Sequence, residues 1–524
     1  MSSEQRTFDF DVAILGGGSG GYAAARTAAG AGLKTVVIEG GREVGGLCIL
    51  RGCMPTKALL YAAEVRHLAE SANWWGMKPA EVPFDWSAVM ARKDGLIKEF
   101  TDYRVQQLSG GKFEFIRANA SFTDPHTVAL SDGRKLSAKH FVISTGSIVS
   151  KPPLPQLAAV GYLTSDDALA LKKLPKSMIV LGGGAVAVEF AQIFARFGVE
   201  VTLIQRSGQI LREFDADGAT VVEGVFRREG IQVFTDTGLI DAFRDGRMKA
   251  ITFLHRGQKT EVKAEEILFA LGRSPNTASL ALDQAGVTTE QGRILTNDQI
   301  QTSAPHIYAA GDCTGPYEIV HIAIQQGEIA AQNIATSLQS SARAHGSQSL
   351  LPETKVRGEG NSSVKSASSP RPSPPSNGGE GVGTPALDRG VNVRAMQPRR
   401  IDYRLLISIV FTEPQVATVG LTEKEAAAQG VPFLAASYPF NDHGKSLIME
   451  AKDGFVKLLA DPKTGEILGG ACVGPVGGEL IHEIVLAMAK RMTVHELAAT
   501  PHYHPTLAEI WTYPAEELAE KILL

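Results

Sequence analysis

Short apolar runs that break into glycine and resume as alanine-rich stretches set the pattern of this chain. Residues 11–39 read DVAILGGGSGGYAAARTAAGAGLKTVVIE, and residues 178–207 repeat the plan as MIVLGGGAVAVEFAQIFARFGVEVTLIQRS. A brief continuous apolar run bounded by glycine predicts a buried parallel strand, and the stretch between two of them predicts the connecting helix. In the second copy Phe190, Ile193, Phe194 and Phe197 fall on one helical face. Further buried strands are expected in FVISTGS (141–147), ILFALGRSPNT (267–277) and TSAPHIYAAGDCTG (302–315). Beyond residue 399 the strand patterns LISIVF, FVKLLA and ILGGACVG alternate with a helical GGELIHEIVLAMAKRM, which predicts an α+β module with its own core.

The glycines turn this pattern into chemistry. Gly16, Gly18 and Gly21 stand in G-x-G-x-x-G spacing between strand and helix, and Glu39 closes the next strand. The first glycine makes the turn, the second admits a pyrophosphate to the backbone, and the third lets helix and strand pack. The helix N-terminus offers N–H groups to phosphate, and Glu39 can accept from a ribose hydroxyl. Gly182, Gly184 and Ala187 repeat the motif as G-x-G-x-x-A, but its strand ends in Gln205-Arg206 without an acid, and Arg212 follows. A missing carboxylate removes repulsion of a 2′-phosphate, and arginines pair with one through charge-assisted forks. The second unit is therefore expected to take NADP in preference to NAD. The fold class is α/β: two Rossmann-like dinucleotide-binding domains plus a C-terminal α+β domain.

Length and punctuation supply the divisions. At 524 residues the chain needs three to four domains. Pro152, Pro153 and Pro155 mark a linker. The expected divisions are a first nucleotide domain over 1–150, a second over 151–272, a return to the first over 273–338, and a terminal domain over 399–524. Residues 339–398, rich in Ser, Gly and Pro and poor in large apolar side chains, are expected to be a disordered insertion. A formal net charge of −4 gives no footprint for nucleic acid. The first residues carry no signal pattern, and apolar runs break too early to span a bilayer, so a cytoplasmic location without membrane contact is expected.

Two of only four cysteines stand together in GGLCILRGCMPTK, Cys48 and Cys53, with glycines before and between them. Their spacing lets the sulfurs meet across one loose turn, and so small a loop contributes little to stability, which motivates a redox role. A zinc site is not expected, because Cys313 and Cys472 show no paired spacing. A helix starting at Cys53 would favour its thiolate, and Lys57 lies one turn further on the same face. Asp312, behind Gly311 at a strand end, can face a ligand in the crevice there. Near the C-terminus His504 precedes Pro505, and Glu509 lies within reach as an orienting carboxylate for a base. His443 and His502 are read as structural.

Together these motifs resemble the class I pyridine nucleotide-disulfide oxidoreductases, the family of dihydrolipoamide dehydrogenase, glutathione reductase and mercuric reductase. The resemblance spans nearly the whole chain outside 339–398. It implies FAD at Gly16, Gly18, Gly21, Glu39 and Asp312, and NADP or NAD at Gly182, Gly184 and Ala187, with Arg206 and Arg212 reading the phosphate. It implies that Cys48 and Cys53 form a redox disulfide, with Cys48 the interchange thiol and Cys53 the flavin-side thiol. Lys57 resembles the lysine beside the flavin, paired with Glu189. His504, oriented by Glu509, resembles the acid/base that the other subunit supplies, so the terminal domain is expected to form a homodimer. The substrate implied is a small or lipoyl-type disulfide, as in a dihydrolipoamide dehydrogenase. Glutathione reduction comes next, and metal-ion reduction third, since no cysteine follows Cys472. A reading of another class is a slow-turnover flavoprotein subunit whose PRPSPPS run docks a partner as polyproline II.

Overall fold

In the computed structural model residues 7–78, 81–344 and 398–522 are described. The first apolar run forms strand Phe10–Leu15, the alanine-rich stretch helix Ser19–Gly30, and TVVI strand Thr35–Ile38. Strand Phe10–Leu15 lies between Thr35–Ile38 and Lys135–Ile143, parallel to both. Glu114–Ile116 continues the sheet on one side, and Ile307–Ala309 pairs parallel with Lys135–Ile143 on the other. Val12, Ala13 and Ile14 are fully buried, as expected of a strand covered on both faces.

Register decides what gathers at the end of this sheet. Leu15 lies opposite Ile38 and Ile143, and Ile143 opposite Ala309. The residues that follow, Gly16, Glu39, Ser144 and Ala310, therefore leave the sheet at one level, tied by Gly16 N–H to Ile38 O at 2.8 Å and Ser144 N–H to Leu15 O at 2.8 Å. Helix Val320–Ala344 packs against Ser19–Gly30 so closely that a Cβ on Gly327 would lie 2.2 Å from Gly20 O.

The second unit repeats the arrangement. Strands run Gln232–Phe234, Glu200–Ile204, Ser177–Leu181, Glu266–Phe269, all parallel, with Leu181 opposite both Ile204 and Phe269. Helix Ala185–Arg196 lays Phe190, Ile193 and Phe194 into the core, and Phe197 follows it there. A three-stranded antiparallel sheet over residues 237–264 is added to this unit. The chain crosses back through Arg273–Pro275, which pairs with Ser147–Val149. The terminal module is a five-stranded antiparallel sheet against which helices Gly477–Ala489 and Thr512–Lys521 pack.

One boundary moves. Helix Val320–Ala344 carries six residues past 338, into the stretch read as insertion, because extending a nucleated helix costs little per residue. Residues 345–397, the rest of that stretch with its proline-rich run, lie outside the described residues.

Candidate active site

The glycine cradle is built by close approach. Gly16 holds φ +105°, and a Cβ there would meet Ser144 O at 2.3 Å. On Gly21 a Cβ would strike Gly16 O at 1.8 Å, so both positions demand glycine. Gly46, just before Cys48, lies against Gly18, where a Cβ would come within 2.7 Å of Gly18 Cα. Helix Ser19–Gly30 begins at Gly18, which has no side chain to cap it, so among the described residues its first N–H groups are left open to a ligand. Glu39 accepts from Gly17 N–H at 2.7 Å and Gly41 N–H at 2.6 Å, which fixes its carboxylate beside the loop. Across the sheet end, Asp312 accepts from Ser147 Oγ at 2.6 Å, and Arg273 Nε holds that hydroxyl at 2.7 Å.

Cys48 sits in the short helix Gly46–Arg51, and Cys53 opens the helix Cys53–Glu70. Both are half-buried free thiols. The Cys48 thiol donates to Cys53 Sγ, which together with Lys57 brings Cys53 down to about 7 against the pull of burial. The same hydrogen bond, with burial, raises Cys48. The two thiols are thus pulled in opposite directions, Cys53 towards the thiolate and Cys48 towards the thiol. Cys313 and Cys472 are fully buried, and burial pushes Cys313 up to about 12 and raises Cys472 as well, so neither is a thiolate near neutrality. The reduced protein should gain one thiolate in the ultraviolet as pH rises through about 7. Cys48→Ala should move that midpoint up towards the ordinary thiol range, and an unmoved midpoint would contradict the hydrogen bond as its cause.

Lys57 meets Glu189 of helix Ala185–Arg196, Nζ lying 3.0 and 2.9 Å from the two carboxylate oxygens. Phe411 closes the pair: its N–H donates to Glu189 Oε1 at 3.0 Å, and its ring lies 4.5 Å from Lys57 Nζ. Three segments distant in sequence thus fix the lysine beside Cys53. Sequence patterns gave no sign of Phe411 or of Arg104. The Arg104 guanidinium stacks 4.3 Å over Tyr22, leaves Nη1 buried without a hydrogen-bond partner, and draws the Cys48 pKa down against the stronger pull of the Cys53 hydrogen bond and burial. Arg26 is engaged by Glu328 on the helix surface.

His504 and Glu509 come together as the spacing predicts. Residues 508–511 form a single 3-10 turn, and His504 Nδ1 lies 3.1 and 3.0 Å from the two oxygens of Glu509. The imidazole is 77% exposed while Glu509 is buried, so Nε2 is left for a substrate. Among the described residues no hydrogen bond or ion pair joins this pair to Cys48 or Cys53. His443, read as structural, touches the same carboxylate, its Nε2 lying 3.2 Å from Glu509 Oε1.

In the second unit Gly182 holds φ +120° with Ala270 O where a Cβ would be, and the space beside Gly184 is open. Ala187 is fully buried between helix and strand. Gln205 stands at the acid position with its amide donating to Ser207 Oγ at 2.5 Å. Arg206 is exposed, and Arg212 is exposed and pairs with Glu213 at 2.9 Å.

Comparison with known proteins fits this arrangement. Residues 10–327 match the pyridine nucleotide-disulphide oxidoreductase family, and residues 407–515 match its dimerisation domain. The chain belongs to this family. It is 33% identical to a dihydrolipoyl dehydrogenase of Thermus scotoductus over 98% of both chains, and 29% identical to a mercuric reductase of Staphylococcus aureus over 96% of this chain and 81% of that one. Among solved structures it is similar to LpdA of Mycobacterium tuberculosis, with 26% identity, TM-score 0.76, and coverage of 97% and 99%. The HOCl-induced flavoprotein disulfide reductase RclA of Escherichia coli shares the fold at 23% identity and TM-score 0.75, over 97% and 99%. The protein is an FAD-dependent oxidoreductase working between NAD(P)H and a disulfide. The first cradle fits FAD: its helix N-terminus is uncapped, Gly18 and Gly46 leave the backbone bare, and Glu39 is fixed beside them. No helix among the described residues is long and apolar enough to cross a membrane.

Proposed function

We propose that this protein is a dihydrolipoamide-dehydrogenase-like enzyme that exchanges electrons between NADPH and a small or lipoyl-type disulfide. The observation that carries the reading is the placement of two half-buried free thiols, Cys48 in the helix Gly46–Arg51 and Cys53 at the start of the next, one turn before Lys57, which pairs with Glu189. FAD, held by Gly16, Gly18, Gly21, Glu39 and Asp312, supplies two-electron exchange between the nucleotide and the cysteines. On the thiol side, His504 of the partner subunit takes the proton from Cys48, whose thiolate attacks one sulfur of the substrate. A mixed disulfide forms, and the same imidazole returns its proton to the departing thiolate. The Cys53 thiolate then attacks Cys48, closing the intramolecular disulfide and releasing the second substrate sulfur as a thiolate, which takes its proton from solvent. The substrate gains two electrons and two protons, and the cysteine pair loses two electrons.

The homodimer follows from the same reading, because an exposed His504 held by a buried Glu509 is presented outward from the terminal sheet. A cytoplasmic location suits a cysteine pair that must cycle through its dithiol form. The divisions at 150 and 272 and the terminal domain from 399 are proposed with it, the third segment now ending with helix Val320–Ala344. Steady-state turnover with NADPH should favour lipoamide over glutathione disulfide and mercuric ion, and a preference for either of the others would overturn the substrate assignment.

For the nucleotide, Gln205 in place of an acid and the exposed Arg206 and Arg212 support NADPH. Arg206→Glu combined with Arg212→Ala should lower kcat/KM for NADPH by roughly ten- to a hundredfold, the scale of one or two charge-assisted hydrogen bonds. NADH should change little. Equal losses for both nucleotides would show that these arginines do not read the 2′-phosphate.

A further inference from the structure

We infer that His443, with Ser446 behind it, is a positioning residue that acts on His504 through Glu509; this inference rests on the role of His504 and Glu509 proposed above. Glu509 stands between two imidazoles. His504 Nδ1 spans both carboxylate oxygens, and His443 Nε2 lies 3.2 Å from Oε1 on the other side. The two histidines differ in surroundings, His504 being 77% and His443 0% exposed. A buried ring nitrogen with no hydrogen-bond partner thus faces the carboxylate at 3.2 Å.

The opposite nitrogen sets the tautomer. His443 Nδ1 lies 2.8 Å from the Oγ of Ser446, itself fully buried. When the serine donates, Nδ1 accepts and the ring proton falls on Nε2, directed at Glu509. Burial holds His443 below its ordinary range, and Glu509 opposes that less strongly, so the ring is neutral when it donates. The groups facing it are Glu509, His504, and the Phe440 and Tyr513 rings at 6.5 and 6.3 Å. Tyr513 stacks on Tyr438, whose hydroxyl reaches Asp442 at 3.1 Å. A neutral donor supports the carboxylate in its charged form without competing for the proton that His504 must carry. With His443 Nε2 3.2 Å behind one oxygen, Glu509 is kept in place to hold the proton on His504 Nδ1 and leave Nε2 free to act.

The test uses the full-length FAD-loaded enzyme. His443→Phe should slow disulfide reduction by about ten- to a hundredfold, the scale of one hydrogen bond to a charged group. It should also shift the pH profile of the thiol half-reaction, while KM for NADPH and electron transfer to ferricyanide stay as they were. His443→Gln, which keeps an N–H near the same place, should recover most of the rate. Ser446→Ala, which keeps the ring but releases its tautomer, should reproduce part of the loss and serves if His443→Phe does not fold. In a Glu509→Gln background the His443→Phe effect should vanish. An unchanged pH profile in both Ser446→Ala and His443→Phe, or full additivity with Glu509→Gln, would overturn the inference. Normal turnover in Glu509→Gln alone would instead remove the His504–Glu509 reading beneath it.

Discussion

Cys48→Ser is expected to abolish disulfide reduction, by at least about a thousandfold, while the protein still binds flavin and passes electrons from NADPH to ferricyanide. The serine hydroxyl cannot form the mixed disulfide. It can still donate to Cys53 Sγ, so the Cys53 thiolate and its titration near 7 should survive. This separates loss of the nucleophile from collapse of the site. Alanine at the same position should abolish turnover too, but it would also remove the donor. Disulfide turnover within tenfold of the parent in Cys48→Ser would contradict the assignment of Cys48 as the attacking thiol.

His504→Gln comes next in size. Glutamine keeps a polar group in the exposed position but cannot shuttle a proton, so the thiol half-reaction should slow by about 10²–10⁴-fold. Reduction of the protein by NADPH, which does not use this imidazole, should keep its rate, and rapid-mixing measurement of the two half-reactions separates them. A near-normal thiol half-reaction would leave His504 as a surface histidine tied to Glu509.

How much of this was legible in the chain depends on distance along it. Local features are the legible ones: the glycine turns at 16–21 and 182–187, the short Cys48–Cys53 loop and the His504–Glu509 turn each form within a few residues. The Lys57–Glu189 pair was reached only through family resemblance, since 132 residues separate the partners and no period connects them. Arg104 and Phe411 carried no signal, because an arginine on a polar helix and a phenylalanine after a strand look alike in any protein. His443 was read as structural for the same reason. Its contact with Glu509 appears only when residues 443–446 fold beside 509, where a buried imidazole meets a buried carboxylate. The helix runs on to Ala344 past the compositional boundary at 338, because Ser, Gln and Ala continue a nucleated helix although they carry no core pattern.

The central claim is that electrons from NADPH come to rest on the Cys48–Cys53 pair and leave it by thiol–disulfide exchange. The most direct test is anaerobic: oxidised protein receives one equivalent of NADPH, its new thiols are counted, and lipoamide is then added. Two new thiols are expected, one ionised near pH 7, that disappear as lipoamide is reduced and the oxidised spectrum returns. Reduction that produces no new thiols, or thiols that lipoamide, glutathione disulfide and mercuric ion all leave untouched, would contradict it.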